Sequence, residues 1–407
     1  MMITILVGYV LGILTEKHCK YKKVYLVFAI LFSLGMLGYF KYADFFISNF
    51  NAATGLSVPL LKIALPIGIS FYTFQILSYN IDVYWGNVKA QKNILHLATY
   101  ITMFPQLIAG PIVRYKDVVE QLENRQHSVD KIGLGVRRFI LGLSKKILLA
   151  NVLGELCEIF RQSDEKSVVF YWMYAVAFSL HIYFDFSGYS DMAIGLGKIF
   201  GFDFIENFNY PFISKSITEF WRRWHISLGT WFRDYVYIPM GGSRVKPIRL
   251  LMNITVVWML TGFWHGAAWN FVLWGVFFAV FLMVEKLFLL RHLEKTKVVS
   301  HIYVLFLVIV SFVIFNATSL TQIGQDIGGM FGVGGIPLIS AETLYYLKSY
   351  SFVFVLGLVG STPIPKKLVS KIKVTPYVEP VALLILLIVA TAYLVDGSFN
   401  PFLYFRF

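Results

Sequence analysis

The stretch Thr261-Gly-Phe-Trp-His-Gly-Ala-Ala-Trp-Asn270 interrupts an apolar region that covers residues 250–288. His265 lies at its centre, between Gly262 and Gly266, whose missing side chains leave room for a neighbouring backbone or for a substrate. An apolar region of this length predicts a hairpin of two membrane segments, with His265 near the turn. Because an ionisable side chain is costly at membrane depth, this histidine is a candidate functional residue.

The composition is that of a membrane protein. Of the 407 residues, 57% are hydrophobic, 17% aromatic and 14% charged, and the mean hydropathy is +0.66. These values lie outside the range of soluble globular domains. We predict an all-α polytopic membrane protein with roughly nine to eleven membrane segments plus re-entrant and interfacial helices. Residues 1–407 are expected to form a single integral-membrane domain.

The formal charge of +13 indicates topology rather than a nucleic-acid partner. The basic residues occur in short clusters between hydrophobic segments, which is typical of cytoplasmic loops that face membrane lipids. The two cysteines, Cys19 and Cys157, form no metal-ligand pattern with the histidines, so no metal site is predicted. The sequence also contains no glycine-rich phosphate loop and no nucleophile elbow.

Hydropathy predicts where the segments begin and end. A short first segment is predicted over residues 1–14 and another over 24–40, followed by an external loop over 41–58 and a third segment over 59–83. Residues 95–112 are apolar but contain Pro105, Gly110 and Pro111, which predicts a broken or re-entrant segment. A further segment over 168–186 is predicted to end in the polar cluster of residues 181–191.

Charged residues also occur inside predicted segments. Lys145 and Lys146 lie within residues 140–153, where they either snorkel to the interface or line a polar pocket. In the polar cluster, Asp185 and Asp191 serve either as an orienting carboxylate or proton relay, or as helix caps and tyrosine partners in a polar turn.

A second histidine lies on a predicted interfacial helix. Ser216 and Glu219 form a capping-box pattern that starts this helix, and Gly229 is its predicted end. The helix is too short to span the membrane. His225 falls on its apolar stripe and is predicted to meet His265 in a central cavity; the alternative is that each histidine only bonds a neighbouring helix. Burial favours the neutral imidazole, which a general base requires.

Basic residues surround this predicted helix. They either bind the phosphates of a nucleotide-like donor or act as a topology signal that contacts lipid phosphates, and they are Arg222, Arg223, Arg233 and Arg244.

Several motifs together resemble the membrane-bound O-acyltransferase (MBOAT) family, in its bacterial alginate O-acetylation branch. The strongest are Phe220-Trp-Arg-Arg-Trp-His-Ile-Ser-Leu-Gly-Thr-Trp-Phe-Arg-Asp-Tyr-Val-Tyr-Ile-Pro-Met-Gly-Gly-Ser243 and Thr261–Asn270. Supporting motifs are Pro66-Ile-Gly-Ile-Ser-Phe-Tyr-Thr-Phe-Gln75, Phe104-Pro-Gln-Leu-Ile-Ala-Gly-Pro-Ile-Val-Arg114, Tyr183-Phe-Asp-Phe-Ser-Gly-Tyr-Ser-Asp-Met-Ala193 and Pro401-Phe-Leu-Tyr-Phe. Members of this branch usually begin with additional hydrophobic segments, so we expect the chain to be short at its N-terminus.

The resemblance implies a helical bundle hollowed by a central funnel, with His265 as the catalytic histidine and His225 as the second essential polar residue. It implies that acetyl-CoA on the cytoplasmic side of the bacterial cell membrane donates an acetyl group, with no bound cofactor. The implied acceptor is an extracytoplasmic partner, such as an SGNH-type transferase, or a polysaccharide hydroxyl. The candidate substrate- or donor-binding residues are Arg222, Arg223, Arg233, Asp185, Tyr189 and Asn270.

Three alternatives remain open at this point. The family also has a branch that passes D-alanine to teichoic acids, although Pro-Met-Gly-Gly-Ser243 resembles the acetylating branch more closely. A proton-coupled transporter would use His181, Asp185, Asp191 and His265 as a relay and would need no acyl donor. A structural assembly protein would not need two intramembrane histidines.

Overall fold

The apolar stretches of the sequence form α-helices, because a backbone in lipid satisfies its polar groups only within a helix or a closed barrel. The computed structural model describes residues 1–371, 377–397 and 402–403, and these residues contain no β-strand. The predicted all-α class is confirmed.

The first half of the chain contains eight helices among the described residues. They are α1 (Met2–Lys17), α2 (Lys22–Thr54), α3 (Ile69–Trp85), α4 (Ile94–Thr102), α5 (Phe104–Leu107), α6 (Tyr115–Glu123), α7 (residues 129–162) and α8 (Val168–Ile199). Two of them contain π-helical stretches, at Gly38–Tyr42 in α2 and at Lys145–Asn151 in α7. Both stretches carry lysines that reach buried partners, in keeping with the frequent occurrence of π-bulges at functional sites.

The second half begins with two short helices and continues with long ones. Its helices are α9 (Ile217–Arg223), α10 (Ile226–Phe232), α11 (Pro247–His265), α12 (Trp269–Leu293), α13 (Lys297–Asn316), α14 (Leu320–Met330), α15 (Ala341–Gly360), α16 (Ile364–Lys371) and α17 (Val378–Asp396).

Seven helices of the described residues are long and apolar enough to cross a membrane, namely α2, α8, α11, α12, α13, α15 and α17. The protein is therefore a multi-pass membrane protein. The larger number expected from hydropathy also included α1, α3 and α7. Helices α1 and α3 have only 16 and 17 residues, and α7 carries several charges.

The predicted external loop over residues 41–58 is wrong in its first part, because α2 continues to Thr54. Lys41 looks like a loop residue by hydropathy, but its ammonium group finds hydrogen-bond acceptors inside the bundle, which removes the reason for the helix to end there. The predicted segment over 59–83 likewise starts late, since α3 begins only at Ile69.

The predicted end of a segment near residue 186 is also wrong, because α8 runs through the polar cluster to Ile199. Its two aspartates face lysines of α7: Asp185 pairs with Lys146 and Asp191 with Lys145. These partners compensate the desolvation that a lone carboxylate would suffer. The broken segment over 95–112 is confirmed, since it divides into α4, α5 and a non-helical stretch.

The helix start at Ser216 is confirmed, with the Glu219 N–H donating to the Ser216 hydroxyl at 3.0 Å. The capping box is only half formed, because the Glu219 carboxylate accepts the Lys215 N–H at 2.9 Å instead of the Ser216 N–H. The single helix expected as far as Gly229 is wrong. Helix α9 ends at Arg223, and α10 begins at Ile226 after a break at Trp224 and His225. His225 therefore lies at a junction between two helices rather than on an apolar stripe.

The α11–α12 hairpin is closely packed. A Cβ atom on Gly262 would lie 2.3 Å from the Phe271 carbonyl oxygen, and one on Gly275 would lie 2.5 Å from the Trp258 carbonyl oxygen. Only glycine allows this approach, which sets the distance between the two helices behind His265. The space predicted beside Gly266 is filled by the Phe271 ring rather than left for a substrate.

Candidate active site

His265 is the last residue of α11, as the hairpin prediction requires. Its imidazole is surrounded by aromatic rings. The ring centroids of Trp264, Trp274 and Phe315 lie 5.1, 5.2 and 5.2 Å from that of His265, all in edge-to-face arrangements. Side chains from α11, α12 and α13 thus hold the imidazole in a defined orientation.

The end of α11 is held by α2. The Lys41 ammonium donates to the carbonyl oxygens of Trp264 at 2.7 Å and His265 at 3.3 Å, and the Tyr42 hydroxyl donates to that of Phe263 at 2.6 Å. The last carbonyls of a helix have no partner within the helix and need one when water is absent. Lys41 and Tyr42 supply these partners and so stabilise the turn that carries His265.

His225 has an unusual backbone. Its φ of 45° lies in the left-handed region, which a non-glycine residue adopts at a cost of about 1–3 kcal/mol. The residue is held there by Asn207, whose main-chain carbonyl accepts the Ile226 N–H at 3.0 Å and whose side-chain oxygen lies 3.2 Å from His225 Nδ1. Such a conformation, kept by surrounding contacts, is typical of functional sites.

Asn207 also determines which nitrogen of the neutral His225 ring carries the proton. Its Oδ1 accepts the Ser227 hydroxyl at 2.8 Å, and its amide donates to Ser190 at 3.1 Å. Since Oδ1 is an acceptor, the neutral imidazole donates from Nδ1 and carries its lone pair on Nε2. Burial, with a smaller contribution from nearby His265, lowers the pKa of His225 well below its usual value, so this ring is neutral at physiological pH.

The two histidines meet at one indole. The His225 and His265 ring centroids lie 6.0 and 5.1 Å from that of Trp264. The sequence placed both histidines in one central region, and the fold brings them to the same tryptophan.

A small cavity adjoins His265. It is lined by Asp185, Trp224, His265, Trp274, Phe315 and Leu403, among others, and its volume is about 20 Å³. This is about the space that one water molecule needs. A much larger open groove of about 870 Å³, with Arg161 and Gln325 in its walls, has no histidine in its lining. We therefore regard the small cavity as the candidate active site.

Sequence comparisons agree with this geometry. The profile of the membrane-bound O-acyltransferase family matches residues 87–323, which include both histidines. The chain belongs to the MBOAT family.

Similar proteins fall into three groups within this family. The probable alginate O-acetylase AlgI of Azotobacter vinelandii is 37% identical to this MBOAT protein over 94% of the chain and 85% of its own length. A peptidoglycan O-acetyltransferase of Helicobacter pylori is 33% identical over 81% and 69%. A teichoic acid D-alanyltransferase of Bacillus subtilis is 30% identical over 54% and 59%. The MBOAT protein is thus an O-acyltransferase of the alginate O-acetylase type.

The two aspartates that the sequence predicted near the site of this O-acyltransferase are engaged in ion pairs. Asp185 accepts from Lys146 at 2.6 Å and from the Leu403 N–H at 2.9 Å, while Asp191 pairs with Lys145 and Arg138. Neither aspartate is a helix cap, since both lie within α8. The sequence left two alternatives for Lys145 and Lys146, which were snorkelling to the interface and lining a polar pocket. Their ion pairs with the two aspartates confirm the polar pocket.

The other candidate residues are dispersed. Arg222 is exposed, Arg223 pairs with Glu219 at 2.8 Å, and Arg233 pairs with Asp234 at 2.7 Å. Tyr189 packs edge-to-face on Phe402, and the Asn270 amide donates to the Phe315 carbonyl at 2.9 Å. Of the six, only Asp185 lines the cavity. The donor-binding roles of the six stay predictions.

Sequence reasoning missed three residues of the site: Lys41, Asn207 and Trp274. Lys41 looked like the start of a loop and Asn207 like part of a turn. Trp274 lies in an apolar stretch with nothing to distinguish it from its neighbours. An unexpected lysine directly after an apolar segment was the one available signal. In the part of the chain that the structure describes, no group of histidine, cysteine or acidic side chains could hold a metal ion.

Proposed function

We propose that this O-acyltransferase transfers an acetyl group from cytoplasmic acetyl-CoA, across the bacterial cytoplasmic membrane, to a hydroxyl of an extracytoplasmic partner or a cell-surface polysaccharide. His265 is the general base, which takes the proton of the attacking hydroxyl and contributes about 10²- to 10⁴-fold in rate. The observation that carries this proposal is the His265 imidazole on a small, partly enclosed cavity among aromatic side chains.

Enclosure of this kind suits acyl transfer. A cavity with room for about one water-sized group admits little water beside the reacting atoms, which favours attack by the acceptor hydroxyl over hydrolysis. His225 does not line the cavity, so we assign it a positioning role that acts through Trp264, which packs against both imidazoles.

The cavity favours acetyl over D-alanyl transfer. A D-alanyl group carries an ammonium, which needs an anionic partner when it is buried. The carboxylate in the cavity wall, Asp185, is already neutralised by Lys146 and also accepts the Leu403 N–H. A neutral acyl group therefore fits better. The longer and closer match to an alginate O-acetylase than to a teichoic acid D-alanyltransferase supports the same choice.

The transporter alternative is less well supported. A proton relay needs carboxylates that take up and release protons, whereas Asp185 and Asp191 each face a lysine at 2.6 Å. Each carboxylate is thus engaged in a structural ion pair between α7 and α8. The acceptor outside the cell is proposed from the relatives, which act on alginate, peptidoglycan or teichoic acid according to their names.

The test measures O-acetyl and D-alanyl esters of surface polymers in cells with the wild-type chain, His265→Ala, or no copy. Membrane levels are matched, and His292→Ala, which changes an exposed histidine far from the cavity, is the control. We expect O-acetyl ester in the His265→Ala cells to fall to the level of cells without the chain, and His292→Ala to match wild type. Equal ester content in all strains would refute the proposal, and loss of D-alanyl ester alone would favour the teichoic acid alternative.

A further inference from the structure

Trp274 on α12 has a buried polar group with no evident use. The side chain is 2% exposed, and its indole N–H has no acceptor among the described residues. Buried donors are almost always paired, so an exception calls for an explanation such as a ligand or a catalytic role. Most of the side chains around this indole are aromatic, and their ring carbons offer only weak acceptance.

The Trp274 indole packs against His265 at the edge of the cavity. Trp274 and His265 line the same cavity, with ring centroids 5.2 Å apart and planes at 84°. The free volume of about 20 Å³ between them and the other walls accepts one water-sized group. A carbonyl oxygen has this size.

Two other polar groups near the cavity are already occupied. Both oxygens of Asp185 accept hydrogen bonds, from Lys146 and from the Leu403 N–H. The Trp264 indole, which also adjoins His265, donates to the Ser70 carbonyl at 3.3 Å. Trp274 thus supplies, at a residue of the cavity wall, an N–H donor that no described protein group accepts.

We propose that the Trp274 indole N–H is a catalytic hydrogen-bond donor that binds the carbonyl oxygen of the acyl group opposite His265. The proposal rests on the acyl-transfer function above and adds the group that stabilises its transition state. A neutral donor suits this position, because a cation here would raise the cost of protonating His265 during the reaction.

The acyl transfer consists of an addition and an elimination at the acyl carbon. The acceptor hydroxyl oxygen bonds to the acyl carbon while His265 takes its proton, and the carbonyl π electrons move onto the oxygen. The resulting oxyanion accepts a shorter hydrogen bond from the Trp274 N–H. When the carbonyl re-forms, the carbon–sulfur bond of the thioester donor breaks, and the leaving thiolate takes the proton from His265. The products are an ester and a thiol.

Trp274→Phe removes the N–H and keeps an aromatic ring. Trp221→Phe is the matched control, because the Trp221 indole N–H is also buried without an acceptor among the described residues, yet Trp221 is outside the cavity lining. Purified enzyme in detergent is assayed with acetyl-CoA and a hydroxyl acceptor. We expect Trp274→Phe to lower kcat about 10²- to 10³-fold with KM nearly unchanged, as for other oxyanion donors. Trp221→Phe should stay within about threefold of wild type.

Equal kcat values for the two variants would overturn the proposal. If Trp274→Phe does not fold, benzothienylalanine at position 274 replaces the N–H by sulfur in a ring of the same shape, and wild-type kcat for that protein would equally overturn it. The proposed function itself would fail on a different result, namely a His265→Ala variant that keeps its activity, so the two failures are distinguishable.

Discussion

Lys41→Met tests whether Lys41, which is 223 residues from Trp264 in the sequence, holds the α11–α12 hairpin that carries His265. The substitution keeps most of the apolar stem and removes the ammonium that donates to the carbonyl oxygens of Trp264 and His265. A hydrogen bond from a charged donor contributes about 1.5–3 kcal/mol, and the carbonyls then lose their partner where water is scarce. The 2.7 Å contact carries most of this energy, since the one at 3.3 Å is long.

We therefore expect Lys41→Met to destabilise the end of α11 by about 2–3 kcal/mol. If the hairpin must be closed for reaction, this reduces acetyl transfer about 30- to 150-fold, at about tenfold per 1.4 kcal/mol. Lys41→Arg keeps the charge and should retain more activity than Lys41→Met.

The assay combines acetyl transfer by purified enzyme with thermal unfolding in detergent. Lys23→Met is the matched control, because Lys23 is an exposed lysine of the same helix. The reasoning is refuted if Lys41→Met matches Lys23→Met in both activity and thermal midpoint.

Two further predictions concern stability. Lys146→Met leaves the buried Asp185 carboxylate without its cation, so we expect a loss of about 3–5 kcal/mol, whereas the double variant Lys146→Met/Asp185→Asn should lose less. Lys198→Met, in a more exposed pair with Asp203, should cost at most about 1 kcal/mol. Chemical unfolding in detergent measures all three, and equal losses for the single and double variants would contradict the interpretation. The second prediction follows from the lowered pKa of His225. Below about pH 6.5 the unfolded chain binds a proton at this residue while the folded protein does not. The free energy of unfolding therefore decreases as the pH is lowered, by up to about 1.4 kcal/mol per pH unit. His225→Asn, which tolerates the left-handed backbone, should lose less stability between pH 7 and pH 5 than wild type; equal losses would show that His225 is not responsible.

Hydropathy was a reliable guide where a segment depends only on its own residues. The α11–α12 hairpin, the position of His265 at its turn and the broken segment before Arg114 all follow from runs of apolar residues and from proline and glycine positions. The N-cap at Ser216 is equally local, since a side chain and an N–H three residues apart make it. The family resemblance rested on these same stretches.

Hydropathy failed where a polar residue has a distant partner. It predicted that α2 ends at Lys41 and α8 near Asp185, because a charged residue whose partner is unknown is assigned to a loop outside the membrane. The partner of Lys41 is 223 residues away and that of Asp185 is 39 residues away. Such contacts compensate desolvation only after the helices have packed.

The sequence by itself thus determined the helical membrane class, the family and the two histidines. Only the tertiary structure decided that α9 breaks at His225, that Lys41 holds the end of α11, and that the Trp274 indole N–H, without an acceptor among the described residues, belongs to a side chain packed against His265. The physical reason is that these features depend on which buried polar groups meet across helices, whereas the amphipathic pattern of one segment records only which faces are apolar.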